Sequence, residues 1–411
     1  MGNYQSNKLY DVIVIGAGPA GNFASITMAS KGLEVAVFDS REKIGNKLCT
    51  GIVGEDCLSL FAPDSEVVHR KISSLKIHSP RGNSYSIKED AFSAWVLDRR
   101  SYINNMSIQA EQLGVRYLTG DRVIDVEVRS DWIFVRSSKQ SVLRARAILI
   151  CSGFGTNLMT SVGITLPSNR KFLQGSQMVV RLREQDDVEV FIEGQEYPGA
   201  FSWLVPTYDD YGLLGAIYRP NDTNPMTRHL DEMNTVHRNV EKIGEVENWG
   251  IPIGTVSKTF EDRVLLAGDA AGFTKPTTGG WIFYAMISGQ LAANTMVEAA
   301  ASNDFSSEFL QRYQDRWVHE FGDELEIGMI ARNLIELLDD ETLEQLMERF
   351  AVDIQMELMR HGTLSFDWHS QSIFQTLKNR YVRDLLTTLG PKAAVLVAKM
   401  LTFKFKSILN R

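Results

Sequence analysis

The apolar run Val12-Ile-Val-Ile15 leads into a cluster of small residues, then a helically spaced stretch that closes at Lys31-Gly32. This order predicts a buried strand, a tight turn and a helix. A second buried strand, Glu34-Val-Ala-Val-Phe38, ends on Asp39. Alternation on both sides of Pro80-Arg-Gly-Asn83 predicts a hairpin over 73–88. Next come a helix from Asp98-Arg99-Arg100 to Gly114 and strands at 115–118, 122–128, 132–136 and 142–150. The middle strands form a small meander ahead of Ala147-Ile-Leu-Ile150, read as the last parallel strand. The chain then turns β-rich, with strands at 175–182, 188–192, 200–205 and 211–217. A polar helix over 228–248 and a return link from Ile251 to Lys258 follow. A short buried strand, Arg263–Ala267, ends in Gly268-Asp269. A helix runs on to about Ala300, whose face Ala285, Met286, Gly289, Ala293 and Met296 follows helical spacing. Residues 305–389 read as several helices of mixed charge.

The first turn holds Gly16-x-Gly18-x-x-Gly21. Gly16 allows the turn, Gly18 lets backbone approach a pyrophosphate, and Gly21 lets the helix pack close to the strand. Asp39 would accept hydrogen bonds from the adenosine ribose, and the helix start offers free N–H groups to phosphates. Strand, glycine turn, helix, strand and acid together define a dinucleotide site. Asp269, at the end of the short buried strand Arg263–Ala267, is placed to reach a further hydroxyl of the same ligand. The helix after Trp281 points its positive end toward whatever the loop holds.

Composition bounds the remainder. A chain of 411 residues is long enough for two or three lobes, and 44% hydrophobic with 23% charged residues is ordinary for a globular enzyme. A net charge of −8 argues against a nucleic-acid binder. Cys49, Cys57 and Cys151 have no zinc-type spacing, so no metal site is expected, and three thiols suggest a reducing compartment. No apolar run approaches a membrane span and no signal layout stands at the start, so a cytoplasmic protein is expected. Pro391–Arg411 combines apolar residues with a basic excess. Such a segment either lies on an anionic membrane surface or docks on the protein as a terminal helix. From spacing alone, Cys49 reads as a small packed residue and the Phe201, Trp203, Val205 face as core. Oligomeric state is left open.

Four segments carry a resemblance to the geranylgeranyl reductase family, within the flavoproteins folded like p-hydroxybenzoate hydroxylase. They are the glycine turn with Asp39, Lys47-x-Cys49-x-Gly51, Pro198-x-x-Phe201-x-Trp203-x-x-Pro206, and Gly268-Asp269-Ala-Ala-Gly272 with Pro276-x-Thr278-Gly279. Leu97-Asp98-Arg99 similarly matches an Asp-Arg pair whose arginine contacts the flavin nucleotide. The resemblance implies an α/β fold: a Rossmann-type FAD-binding domain over 1–72, 93–170 and 258–304, an antiparallel β-sheet substrate domain over 73–92 and 171–257, and a C-terminal helical region over 305–411. It implies FAD held by Gly16, Gly18, Ala20, Gly21, Asp39, Ser40, Lys47, Cys49, Arg99, Val123, Gly268, Asp269, Gly279, Gly280, Trp281 and Ile282. Phe201, Trp203 and Pro206 would line a prenyl pocket, and Cys49 would act beside the flavin ring and the substrate. The implied reaction is reduction of isolated C=C bonds in a polyprenyl lipid, quinone or pigment tail, with electrons from NAD(P)H or ferredoxin. Two departures stand out. Trp281 brings an indole to a place where backbone approaches the ring in the family, and Cys151-Ser152-Gly153 lacks the aspartate of the hydroxylase relatives. A flavin monooxygenase or halogenase, suggested by the likeness of Phe201-Ser-Trp203-Leu-Val-Pro206 to WxWxIP, and a catalytically silent flavin- or lipid-binding protein are the alternatives.

Overall fold

The computed structural model describes residues 5–47, 49–72, 74–88, 93–155, 158–166, 171–182, 187–235, 240–350 and 365–403. The first strand, Gln5–Ile15, lies between Val142–Ile150 and Val35–Asp39 in parallel register. Arg116–Thr119 continues the parallel set on one side and Val264–Leu266 on the other. The parallel set thus extends one strand beyond Ala147–Ile150, since the chain returns 114 residues after Ile150 to place Val264 on that edge. Val123–Val128 and Ile133–Ser137 form the expected antiparallel meander beside Val142–Ile150. Near-continuous runs such as Val12–Val14 and Ala147–Ile150 are completely buried, as strands covered on both faces must be.

Helix Pro19–Ser30 packs between Arg99–Gln112 and Ile282–Ser302 on this sheet. Two glycines make the packing close. A Cβ on Gly21 would sit 1.9 Å from the Gly16 carbonyl oxygen, and one on Gly289 would sit 2.4 Å from that of Ala20.

A second sheet runs in the order Glu241–Lys242, Lys171–Arg181, Tyr211–Tyr218, Phe201–Pro206, Val188–Ile192, Ser74–His78 and Ser84–Lys88. The hairpin at 73–88 is there, joined to Val188–Ile192 in parallel while the other pairs are antiparallel. Glu247–Ile253 also pairs with Lys171–Gln177, so this segment is an edge strand and not a link. The helix read over 228–248 is correspondingly shorter, Met226–Thr235. A three-stranded sheet not foreseen from the pattern, Ile52–Gly54, Ala94–Leu97 and Val68–Lys71, presents Ala94 and Val96 to the second sheet's inner face.

The chain ends in helices. Ile327, Ile330 and Leu334 pack with Leu377, Val382, Leu386, Ala393, Val397 and Met400 into a separate core. Helix Pro391–Leu401 is therefore docked on the protein, and Lys399 bonds Glu326 at 3.0 Å. Residues 404–411 of the basic tail lie outside the described residues. Among the described residues no helix is long and apolar enough to cross a membrane.

Candidate cofactor cleft and the pocket behind it

A cleft of about 570 Å³ opens at the carboxyl ends of the parallel strands, where open α/β sheets bind ligands. The glycine turn forms one wall. Gly16 has φ +111° and lies so close to Cys151 that a Cβ would be 2.3 Å from its carbonyl oxygen. Space around Gly18 is open within 4 Å of where its Cβ would be, and no side chain caps the helix that starts at Pro19. Asp39 closes the turn: Oδ2 accepts from the Ala17 N–H at 2.8 Å and Oδ1 from the Arg41 N–H at 2.7 Å.

Lys47 and Asp269 form an ion pair across the cleft, on side chains 20% and 4% exposed. The same ammonium lies 4.0 Å from the centre of the Trp281 ring. The indole thus lines the inner end of the cleft as the floor on which Lys47 rests, and the cleft stays open above it.

Of the residues expected to hold a dinucleotide, Gly16, Gly18, Ala20, Asp39, Ser40, Lys47, Val123, Gly268, Asp269 and Trp281 line this cleft. Gly21 lies beneath, between helix and strand. Gly279 packs on Ile217 and Ile251 of the second sheet, Gly280 lies over the Lys275 stem, and Ile282 is buried at its helix start. Cys49 and Arg99 do not line the cleft. They line a second pocket of about 220 Å³ on the other side of the same loop, with Thr50, Leu97, Gln177 and Leu213. Arg99 is buried and donates from Nη1 to the Gly45 carbonyl at 2.6 Å, so it braces the loop. Burial lowers its pKa from the ordinary value. Cys49 Sγ accepts from the Gly51 N–H at 3.5 Å. One loop therefore separates two cavities, with Lys47 facing the first and Cys49 facing the second.

Phe201, Trp203 and Val205 share a face, as the period of two requires. That face is covered. Leu173, Ile217, Ile251 and Ile253 from its own sheet, Ala94 and Val96 from the small sheet, and Met329 and Phe366 from the helical region pack on it. Pro206 ends the strand opposite Gly212.

Several residues of the site were missed by sequence reasoning. Ser152 lines the cleft with a buried Oγ that has no hydrogen-bond partner among the described residues, and Arg41 and Lys43 add positive charge at the cleft. The signal for Ser152 was its place just after strand Val142–Ile150.

A buried hub joins the loops that frame the cleft. Asp367 accepts from the N–H groups of Gly54 and Cys57, both at 2.9 Å. Lys275 is buried beside it and donates to the Phe366 carbonyl. Burial lowers the Lys275 pKa and raises that of Asp367, and their opposite charges counter both shifts. Glu324 accepts from the N–H groups of His369 and Ser370 at 2.9 and 3.0 Å. The Tyr284 hydroxyl donates to the Asp367 carbonyl at 3.1 Å. The segment from Phe366 to Ser370 thus ties the chain just after Gly51 to the chain just before Trp281.

A glycine cradle, an uncapped helix start and an acid ending the next strand, at the switch of a parallel sheet, are the features of a dinucleotide-binding oxidoreductase of the flavoprotein class. A family model described as FAD dependent oxidoreductase matches residues 11–384, and the chain belongs to that family. It is 27% identical over 365 residues to digeranylgeranylglycerophospholipid reductase 2 of Methanopyrus kandleri, covering 82% of this chain and 90% of that protein. It is 28% identical over 354 residues to digeranylgeranylglycerophospholipid reductase 1 of Methanococcoides burtonii, covering 82% and 86%. Its fold is similar to that of a geranylgeranyl bacteriochlorophyll reductase-like protein from Thermoplasma acidophilum, with a TM-score of 0.81 at 20% identity over 93% of this chain and 100% of that one. A flavin-dependent brominase gives a TM-score of 0.66 at 20% identity, over 92% and 100%. The four-segment resemblance agrees with the names of the reductase relatives.

The residues present fit FAD. The open space at Gly18 and the bare helix end suit a pyrophosphate, Asp39 suits a ribose, and the unpartnered Ser152 Oγ supplies a further polar contact inside the cleft.

Proposed function

We propose that this chain is an FAD-dependent reductase that hydrogenates isolated C=C bonds of a polyprenyl chain on a lipid of the kind named for its relatives. The observation that carries the proposal is the single loop with two faces. Lys47 looks into the nucleotide cleft, while Cys49 looks into a pocket walled by the second sheet. Only a few residues of backbone stand between a bound ring and a chain lying on that sheet.

FAD, when bound in its reduced form, would supply a hydride to one alkene carbon, and a proton from solvent or a protein acid would go to the other. The protein supplies position, because an unactivated alkene has no carbonyl to polarise. Gly16, Gly18, Ser40, Ser152 and Asp39 hold the nucleotide, and Lys47, Asp269 and Trp281 set the inner end of the cleft. Cys49 stands at the substrate side, held by the Gly51 N–H. Leu213 and the core around Trp203 exclude water from that side. This reading divides the chain into cofactor, substrate and helical parts near residues 72, 93, 170, 257 and 304. The electrons come from an external donor of the NAD(P)H or ferredoxin class, and supplying each donor separately to the purified enzyme tells them apart.

The test is product mass. Purified holoprotein, supplied anaerobically with reductant and a geranylgeranyl lipid, is expected to yield lipid carrying two more hydrogen atoms per double bond reduced. Unchanged lipid without oxygen, together with an oxygenated or halogenated product in air, would overturn the reading.

A further inference from the structure

His69 is the odd residue of a short strand. In the three-stranded sheet Val68 lies opposite Leu97 and Arg70 opposite Val96, so the strand carries one residue more than its partner there, and the extra one is His69. Such a bulge bends the strand and re-aims the side chain at that point. Here the His69 ring lines the pocket that Cys49 also lines. The ring is half-buried, lies 5.0 Å from that of Tyr208, and makes no hydrogen bond among the described residues.

The charged groups around this pocket are committed elsewhere. Asp98 caps its helix, accepting from the N–H and the hydroxyl of Ser101 at 3.1 and 2.6 Å. Arg99 braces Gly45, Arg100 and Glu247 form an ion pair at 3.6 Å, and Glu245 pairs with Lys242 at the same distance. Besides two phenols, Tyr208 and Tyr211, that leaves a thiol and an imidazole facing one cavity, side-chain types that serve as proton donors and acceptors in catalysis. Burial lowers the His69 pKa from its ordinary 6.5, and the Asp98 carboxylate opposes that in part. The ring is therefore neutral at pH 7, with one nitrogen to accept a proton and one to release it.

We propose that His69 is the proton relay of this site, carrying protons from solvent to the Cys49 thiol. This rests on the prenyl-reductase reading and deepens it. As one alkene carbon receives the hydride, the Cys49 S–H bond breaks and its proton forms the C–H bond at the other carbon. The thiolate then takes the proton of the His69 N–H, and the opposite ring nitrogen takes one from solvent. Each double bond reduced thus consumes one hydride and one solvent proton, and both side chains return to their starting charge.

Two measurements on the full-length holoprotein test this. In single turnovers of the reduced protein with a geranylgeranyl lipid, His69→Gln and His69→Ala should slow the reaction at saturating lipid by about a hundredfold, with the half-saturating lipid concentration unchanged. Added imidazole should restore about tenfold of that loss in His69→Ala, while pyrrole, which fills the same space without a basic nitrogen, should restore nothing. A wild-type rate in His69→Gln, or rescue by pyrrole as good as by imidazole, would overturn the proposal. The second readout needs no turnover: iodoacetamide alkylation of Cys49, followed by peptide mass. At pH 5.5 an imidazolium beside the thiol favours its thiolate, so the wild type should react about threefold faster than His69→Gln. Equal rates would overturn the coupling of the two side chains. If the alkylation difference holds but the wild type reduces no prenyl lipid, the His69–Cys49 proton exchange stands and the reductase reading falls.

Discussion

Asp39 holds the nucleotide turn from two sides, which makes Asp39→Asn an informative perturbation. Its carboxylate accepts from Ala17 N–H with one oxygen and from Arg41 N–H with the other, at 2.8 and 2.7 Å. Asparagine keeps the size but has one acceptor oxygen, so its NH₂ must face one of those N–H groups. One charge-assisted bond, about 1.5–3 kcal/mol, is lost from the turn. In the holoprotein the ribose hydroxyls also exchange a carboxylate for a neutral amide, and losing about half of such a bond weakens FAD by about 1–2 kcal/mol. The apoprotein should unfold at lower urea by the first amount, and FAD affinity should fall about 5- to 30-fold by the second. Quenching of flavin fluorescence during titration measures the affinity, and urea unfolding of the apoprotein measures the turn. FAD binding within twofold of wild type, at whatever stability, would show that Asp39 does not face the ribose and that the cleft is misassigned.

Three further outcomes are expected. Asp367→Ala leaves Lys275 buried without its neighbouring carboxylate and strips the Gly54 and Cys57 N–H groups of their acceptor; urea unfolding should show a loss of about 3–5 kcal/mol. His369 is held down to about 3 by burial and then by the Lys275 ammonium, against an ordinary 6.5. Below pH 6.5 the unfolded chain therefore binds a proton that the folded one refuses, and stability should fall toward pH 5 by up to about 1.4 kcal/mol per pH unit, a slope that His369→Gln should flatten. Lys47→Met removes the cation from between Asp269 and the Trp281 ring; FAD titration should show weaker binding by about tenfold, and indole emission should change on the apoprotein.

Local signals in the sequence carried far. Gly16, Gly18, Gly21 and Asp39 stand within about one turn and one strand of each other, so their place together at the turn was readable before any tertiary contact was known. The period of two along Phe201, Trp203 and Val205 gave the shared face, but not what covers it, because Met329 and Phe366 arrive from more than a hundred residues away. Glu247–Ile253 was missed as a strand because Gly250 and Pro252 interrupt the pattern. An edge strand tolerates both residues, since its outer side needs no ladder bond. Lys275 gave no warning of burial, as lysine is almost always exposed and only the distant Asp367 makes its position tenable. Spacing alone did not show that Lys47 takes the cleft side of its loop while Cys49, two residues later, lines the pocket behind it.

The central claim is that this loop divides a flavin cleft from a prenyl slot, and rapid-mixing spectroscopy tests it most directly. Reduced holoprotein mixed anaerobically with a geranylgeranyl lipid should regain the oxidised flavin absorbance at a rate that saturates with lipid. Absorbance that stays bleached with every prenyl compound, and returns only when oxygen is admitted, would contradict it.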